Sequence, residues 1–246
     1  MYAIKMIPST LINRGRYEKY LLGCIKFHLL TYLINCFQDD DYLYMVLPFV
    51  EAGDLFILLR KFKKFNENLS QFYGAQVLLA LEYLHNLNII YRDMKPENIL
   101  LERSGYIKLT DFGLSKKTDN RTYTMCGTPD YIAPEMILSK GYGISVDYWS
   151  FGILLYEFNS GKPPFYSPNE RKTFEKIIQG IYEEKIYFSF ELKDIIKNLL
   201  QTDCSKRYGI IAEGVSRIRN HKWFKNLAWV PLLNKAIKPP YVPGIN

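Results

Sequence analysis

Residues 91–98 read Tyr-Arg-Asp-Met-Lys-Pro-Glu-Asn, a polar run set between two apolar stretches, Ile89–Ile90 and Ile99–Leu101. The flanks look like the ends of buried strands. Charge held between buried strands is costly unless partners or a chemical task satisfy it. The loop therefore demands a fold that keeps Arg92, Asp93, Lys95, Glu97 and Asn98 at the edge of a core, facing counter-charge or ligand.

The periodicity around this loop divides the chain in two. Upstream, residues 1–7 alternate like a strand, 16–23 read as a helix, and 29–37 and 42–49 are apolar runs of strand length. Residues 48–53 break the pattern as a hinge would. Downstream, residues 69–87 carry helical spacing with Ser70 as N-cap. A short hairpin follows the charged loop. Residues 145–161 predict a long apolar helix ending at Gly161, and 191–201 predict an amphipathic one. The expectation is an α+β protein of two lobes, with residues 1–48 as a small β-rich lobe and 49–246 as the hinge and a mainly helical lobe. A cleft between lobes is a natural ligand site.

Composition narrows the function classes. At 246 residues and 48% hydrophobic, the chain can bury a sizeable core. Its net charge of +7 comes from scattered basic residues, so ATP and anionic phosphates are better-motivated partners than nucleic acid. Cys24, Cys36, Cys126 and Cys204 make no metal or disulfide pattern, which predicts a reducing compartment. Cys126 reads as a small packed residue, and His28, His85 and His221 as structural. No apolar run approaches the roughly 18–20 residues of a membrane span. A soluble, cytoplasmic or nuclear protein is expected.

The chemistry sits in an ordered set of short motifs: Tyr-Ala-Ile-Lys ending at Lys5, Asp93 and Asn98 five residues apart with Lys95 between, Thr-Asp-Phe-Gly around Asp111, and Ala-Pro-Glu ending at Glu135. Each alone is weak. Together, in this order, they resemble the signature set of eukaryotic protein kinases. Residues 91–101, 121–142, 145–157, 161–165 and 220–224 bring the resemblance closest to the catalytic subunits of cAMP-dependent protein kinases, the AGC group of Ser/Thr kinases.

That resemblance implies transfer of the ATP γ-phosphate, with Mg²⁺, to Ser or Thr in Arg-rich protein substrates. It implies Asp93 as the residue that accepts or orients the hydroxyl proton, Lys95 at the γ-phosphate, and Asn98 and Asp111 as metal ligands. Lys5 would hold the other phosphates and pair with Glu18, while Leu47, Val50 and Leu100 would line the adenine pocket. Thr124 would be an activation-loop phosphosite met by Arg92, Lys116 and Arg14. Thr128 would bond the Asp93–Lys95 pair, Asp147 would anchor the catalytic loop, and Glu135 with Arg207 would form a buried ion pair that braces the activation loop. Asp54, Glu97 and Glu175 would read upstream arginines, and Met125, Pro129 and Ile132 would form a pocket for the residue after the target. Asp54 also reads as a helix N-cap, and Thr124 as a plain polar loop residue. A cAMP-binding regulatory subunit is a further partner the resemblance implies.

Two features depart from the pattern. The sequence contains no Gly-x-Gly-x-x-Gly loop, and it lacks the family's acidic, aromatic C-terminal tail. A fragment of a normal kinase, a short active form and a non-catalytic scaffold therefore all stay open at this point.

Overall fold

The computed structural model describes residues 1–244. Three strands form the small sheet: β1 (Tyr2–Pro8), β2 (Asn35–Gln38) and β3 (Tyr42–Pro48), in the order β1-β3-β2 and antiparallel throughout. The β1–β3 register places Lys5 opposite Met45. Helix α1 (Ile12–Cys24) packs on this sheet with Glu18, Leu21 and Leu22 buried, one face at i, i+3, i+4 spacing. Gly15 permits the approach, since a Cβ there would lie 2.9 Å from a Leu43 methyl and 3.0 Å from Ile7.

The link from β3 docks on the large lobe through its backbone. Ala52 N–H donates to Leu101 O at 3.1 Å, and Leu101 N–H donates to Gly53 O at 2.8 Å. Helix α2 (Leu55–Phe62) starts there, capped by Asp54, whose side chain accepts from the Ile57 N–H. Helix α3 (Glu67–Asn86) follows, then strands β4 (Ile89–Ile90), β5 (Ile99–Leu101), β6 (Ile107–Leu109) and β7 (Lys116–Lys117). β5 pairs with β6, and β4 with β7. The short helix α4 (Pro134–Ile137) leads to α5 (Ser145–Ser160), α6 (Glu170–Gln179), α7 (Phe190–Leu199), α8 (Val215–Arg219) and α9 (Trp229–Leu233). Helix α5 packs between α3 and α7 and is buried along almost its whole length, with Trp149, Phe151 and Phe158 fully enclosed. It ends at Gly161, φ 83°, as the sequence predicts.

Three expectations need correction. The apolar run 29–37 is a strand only from Asn35 onward. Leu29 and Leu30 are fully buried against the large lobe instead: Leu109 N–H donates to Leu29 O at 2.8 Å, and Thr31 N–H to Leu109 O at 2.9 Å. A continuous apolar run does not say which sheet it joins, and this one ties the two lobes together. Second, α3 begins before residue 69. Its cap is Asn66, which accepts from Leu69 N–H at 2.9 Å, while Ser70 lies on the buried face inside the helix. Third, α7 spans Phe190–Leu199 under a Ser189 cap rather than 191–201.

Candidate active site

The charged loop is held open by one buried carboxylate. Asp147, fully buried on the first turn of α5, accepts from Tyr91 N–H at 2.9 Å and Arg92 N–H at 2.8 Å, and pairs with His85 at 2.7 Å. This fixes Arg92 at φ 69°, a conformation that L-residues seldom adopt. The chain then turns so that Asp93, 8% exposed, faces a polar network. Its carboxylate accepts from Asn98 Nδ2 at 2.9 Å and from Thr128 Oγ1 at 3.2 Å, and lies 3.4 Å from Lys95 Nζ. Lys95 also donates to Thr128 at 3.1 Å. Asn98 spends its amide N–H groups on Asp93, so its side-chain oxygen remains available as a ligand.

Asp111 follows β6 at φ 57° and brings the second acid to the same cleft. Lys5 reaches it from the small lobe at 2.8 Å and holds Glu18 at 2.7 and 2.9 Å. Strand β1, helix α1 and the segment after β6 thus meet at one ammonium group. Burial opposes the Lys5 charge, but Glu18 and then Asp111 outweigh it and raise its pKa. Burial would also raise Asp111; the hydrogen bond and charge of Lys5 hold it below the ordinary carboxylate value instead. Burial pushes the Glu18 carboxyl up against the attraction of Lys5.

The expected Thr124 cluster is only partly assembled. Thr124 is exposed. Arg92 donates to Leu114 O and, at 3.1 Å, to the Tyr142 hydroxyl, which in turn donates to Thr124 O. Lys116 is engaged with Thr122 at 2.9 Å, and Arg14 with Gly113 O at 2.8 Å. An uncharged threonine offers these cations no counter-charge, so each binds a nearby oxygen. The brace is complete: Arg207, fully buried, makes two bonds to Glu135 at 2.6 and 2.9 Å and stacks 5.1 Å over Trp149.

Glu175, one of the three acids expected to read upstream arginines, adjoins Lys176, which lines the same cavity as Glu97. Glu175 is exposed on α6 and pairs with Arg171, one turn away at 3.4 Å. Glu97 lines this cavity of about 1040 Å³ with Asp130 and Glu157. Glu157 is 7% exposed and accepts from the Tyr131 hydroxyl. Burial pushes its pKa from 4.5 to about 7; the Tyr131 bond opposes this, and Glu97 and Asp130 add to it. Sequence reasoning missed Glu157 and Asp130, although an acid inside an apolar core helix is itself a signal. Leu47, Val50 and Leu100 are half-buried where β3, the hinge and β5 meet. Ile132 is buried beside a small void with Met94 and Met136, Pro129 is half-buried, and Met125 is exposed.

The protein kinase domain model matches residues 1–224. The chain belongs to the protein kinase family. It is 46% identical over its whole length to cAMP-dependent protein kinase catalytic subunit 2 of Drosophila melanogaster, spanning 72% of that protein. It is 45% identical to cAMP-dependent protein kinase type 3 of Saccharomyces cerevisiae over 99% of the chain, and covers 63% of that relative. With the catalytic subunit of Schizosaccharomyces pombe the identity is 45% over 98% of the chain, which is 47% of that protein's length. It is thus a kinase of the cAMP-dependent group, whose family uses ATP and a divalent metal. The donor set agrees with a hard metal ion. Asp111 and Asn98 carry side-chain oxygens of the kind a hard divalent ion takes.

Proposed function

We propose that this chain transfers the γ-phosphate of Mg·ATP to Ser or Thr hydroxyls in proteins that carry Arg upstream of the target. The observation that carries this reading is the pairing across one cleft of two networks, Asp93–Asn98–Thr128–Lys95 and Lys5–Glu18–Asp111. Phosphoryl transfer asks a protein for positioning and charge neutralisation rather than covalent help.

In this reading Asp93 receives or orients the hydroxyl proton, its carboxylate aimed by Asn98 and Thr128. Lys95 supplies positive charge beside it. Lys5 binds phosphate oxygens and is itself held by Glu18. Asp111 and Asn98 hold Mg²⁺, which when bound neutralises the phosphates. Leu47, Val50 and Leu100 exclude water around the adenine. Glu97, Asp130 and Glu157, with Asp54 and Glu175, bind basic side chains of the substrate, and Met125, Pro129 and Ile132 receive the residue after the target. Phosphorylation of Thr124 adds nearly two negative charges beside Arg92, drawing Arg92 and Lys116 from their present oxygens. Residues 1–48 act as the nucleotide lobe and 49–244 as the substrate lobe. A cAMP-binding regulatory subunit is a partner by likeness to the named relatives, and four free cysteines support a cytoplasmic or nuclear setting.

The test is transfer from Mg·ATP to an Arg-Arg-x-Ser peptide by residues 1–246, with Asp93→Ala alongside. The expected loss is about 10²–10⁴-fold, with thermal unfolding retained. Equal rates for both proteins, in a folded sample phosphorylated on Thr124, would reject catalysis and leave a scaffold.

A further inference from the structure

The cavity beside Glu157 carries charge of both signs. Glu97, Asp130 and Glu157 line it together with Arg60, whose charge attracts that of Glu157, and Lys63 and Lys162 line it as well. A bonded path gives the order. Thr128 donates to Asp93 at 3.2 Å, Tyr131 N–H donates to Thr128 O at 2.9 Å, the Tyr131 hydroxyl donates to Glu157, and Gly161 N–H donates to Glu157 O at 2.7 Å. Lys162 is the next residue. Lys63 adjoins it, because its carbonyl oxygen lies only 2.1 Å from where a Gly161 Cβ would be.

The other two lysines of this cavity are engaged: Lys185 pairs with Glu183 at 2.6 Å, and Lys176 donates to Tyr166 O at 3.1 Å. Lys63 and Lys162 are exposed and form no ion pair among the described residues. Glu157 lies about one turn before Ser160, the last residue of α5, and Lys162 lies two residues beyond it, so their Cα atoms are under about 13 Å apart. An extended peptide covers that distance in up to about four residues.

We propose that this cleft selects substrates with an anionic side chain, a carboxylate or a phosphate, two to four residues N-terminal to the basic residue bound at Glu157. The direction rests on the kinase reading above, in which basic residues precede the target. Lys63 and Lys162 attract the anion. They also repel the extended basic runs that Glu97, Asp130 and Glu157 would attract, so the pair contributes by exclusion as well as attraction. Both are solvated, so the selection is modest and salt-sensitive.

The test uses four peptides that share Arg-Arg-x-Ser and carry Glu, phosphoserine, Ala or Lys at the upstream position. Each is measured twice, as kcat/KM for transfer and as affinity by fluorescence anisotropy without turnover. We expect Glu over Ala by about five-fold at low salt, with phosphoserine higher because it carries more charge, and Lys below Ala. In Lys63→Gln/Lys162→Gln the ratios fall to about one, and Lys162→Glu favours the Lys peptide over the Glu peptide. A preference for phosphoserine with Glu equal to Ala supports the selection and assigns the anion as phosphate. Equal values for all four peptides, failure of all four to bind, or a preference that survives in the double variant, would overturn it. Acid-dependent binding without transfer would keep the selection and refute catalysis; transfer at equal rates would do the reverse.

Discussion

On the function proposed above, Glu157 is where substrate recognition and stability oppose each other, and the conflict has a measurable size. Its carboxyl is buried on α5, with Tyr131 bonded to it, Glu97 and Asp130 repelling its charge and Arg60 attracting it. Its pKa rises from 4.5 to about 7, which corresponds to roughly 3 kcal/mol. The sign follows from proton counts. Between these values the folded state keeps a proton that the unfolded state has lost, so this group's contribution to stability is full below pH 4.5 and lost as pH rises through about 7. Glu157→Gln keeps the shape and an acceptor for Tyr131 but cannot ionise. We expect it to match the parent near pH 4.5 and to exceed it at pH 8 by up to about 3 kcal/mol. The assay is urea unfolding of both proteins at several pH values between 5 and 8, comparing midpoints at constant slope. A stability difference that stays flat with pH, or one that favours the parent at pH 8, would refute the reasoning. The same variant is expected to lose affinity for basic peptides, the familiar trade between a functional charge and stability.

Two further outcomes follow from packing. Arg207→Ala strands Glu135 in the core without a counter-charge and is expected to cost about 3–5 kcal/mol, read as a lowered midpoint in urea unfolding; a loss below 1 kcal/mol would show that the pair is not desolvated as its geometry implies. Gly161→Ala forces a Cβ onto Lys63 O at φ 83°, and is expected to destabilise by about 1–3 kcal/mol, whereas an unchanged thermal midpoint would mean that the turn between α2 and α3 yields freely.

The site residues legible in the sequence are those fixed by short spacing. Asp93, Lys95 and Asn98 share one loop, and Asp111 lies just after the adjoining hairpin, so local order placed them near one another. Lys5 and Glu18 were legible as residues but their meeting with Asp111 depends on how the lobes close, which no local pattern carries. Glu157 and Asp130 were missed for the same reason: only the Tyr131 hydroxyl, reaching from the activation segment to α5, brings them beside Glu97. Glu175 was named from the resemblance of its surrounding motif rather than from any local physical signal. Asn66 and Ser70 are both good caps, and tertiary burial of Ser70 decided between them. Residues 29–33 had strand-like composition, but Leu29 and Thr31 pair with Leu109 of β6, 80 and 78 positions away.

The two strained non-glycine residues of the cleft, Arg92 and Asp111, stand at φ 69° and 57°. Such conformations cost on the order of 1–3 kcal/mol each and persist only where the surroundings over-determine them. At Arg92 the surroundings are Asp147, whose two oxygens take the Tyr91 and Arg92 N–H groups, and Leu114 O, which takes the guanidinium. At Asp111 they are Lys5 and the Gly113 N–H, 3.1 Å from the same oxygen. The first anchor is buried in α5 and lies within the large lobe. Of the second pair, Gly113 belongs to the large lobe, while Lys5 comes from the small lobe and reaches Asp111 only while β1 faces the cleft. Asp93 is thus positioned by the large lobe alone, whereas Asp111 depends in part on how the lobes meet. A change that moves α1 would leave Asp93, Asn98 and Thr128 bonded as they are, and would release Asp111 and Lys5 together.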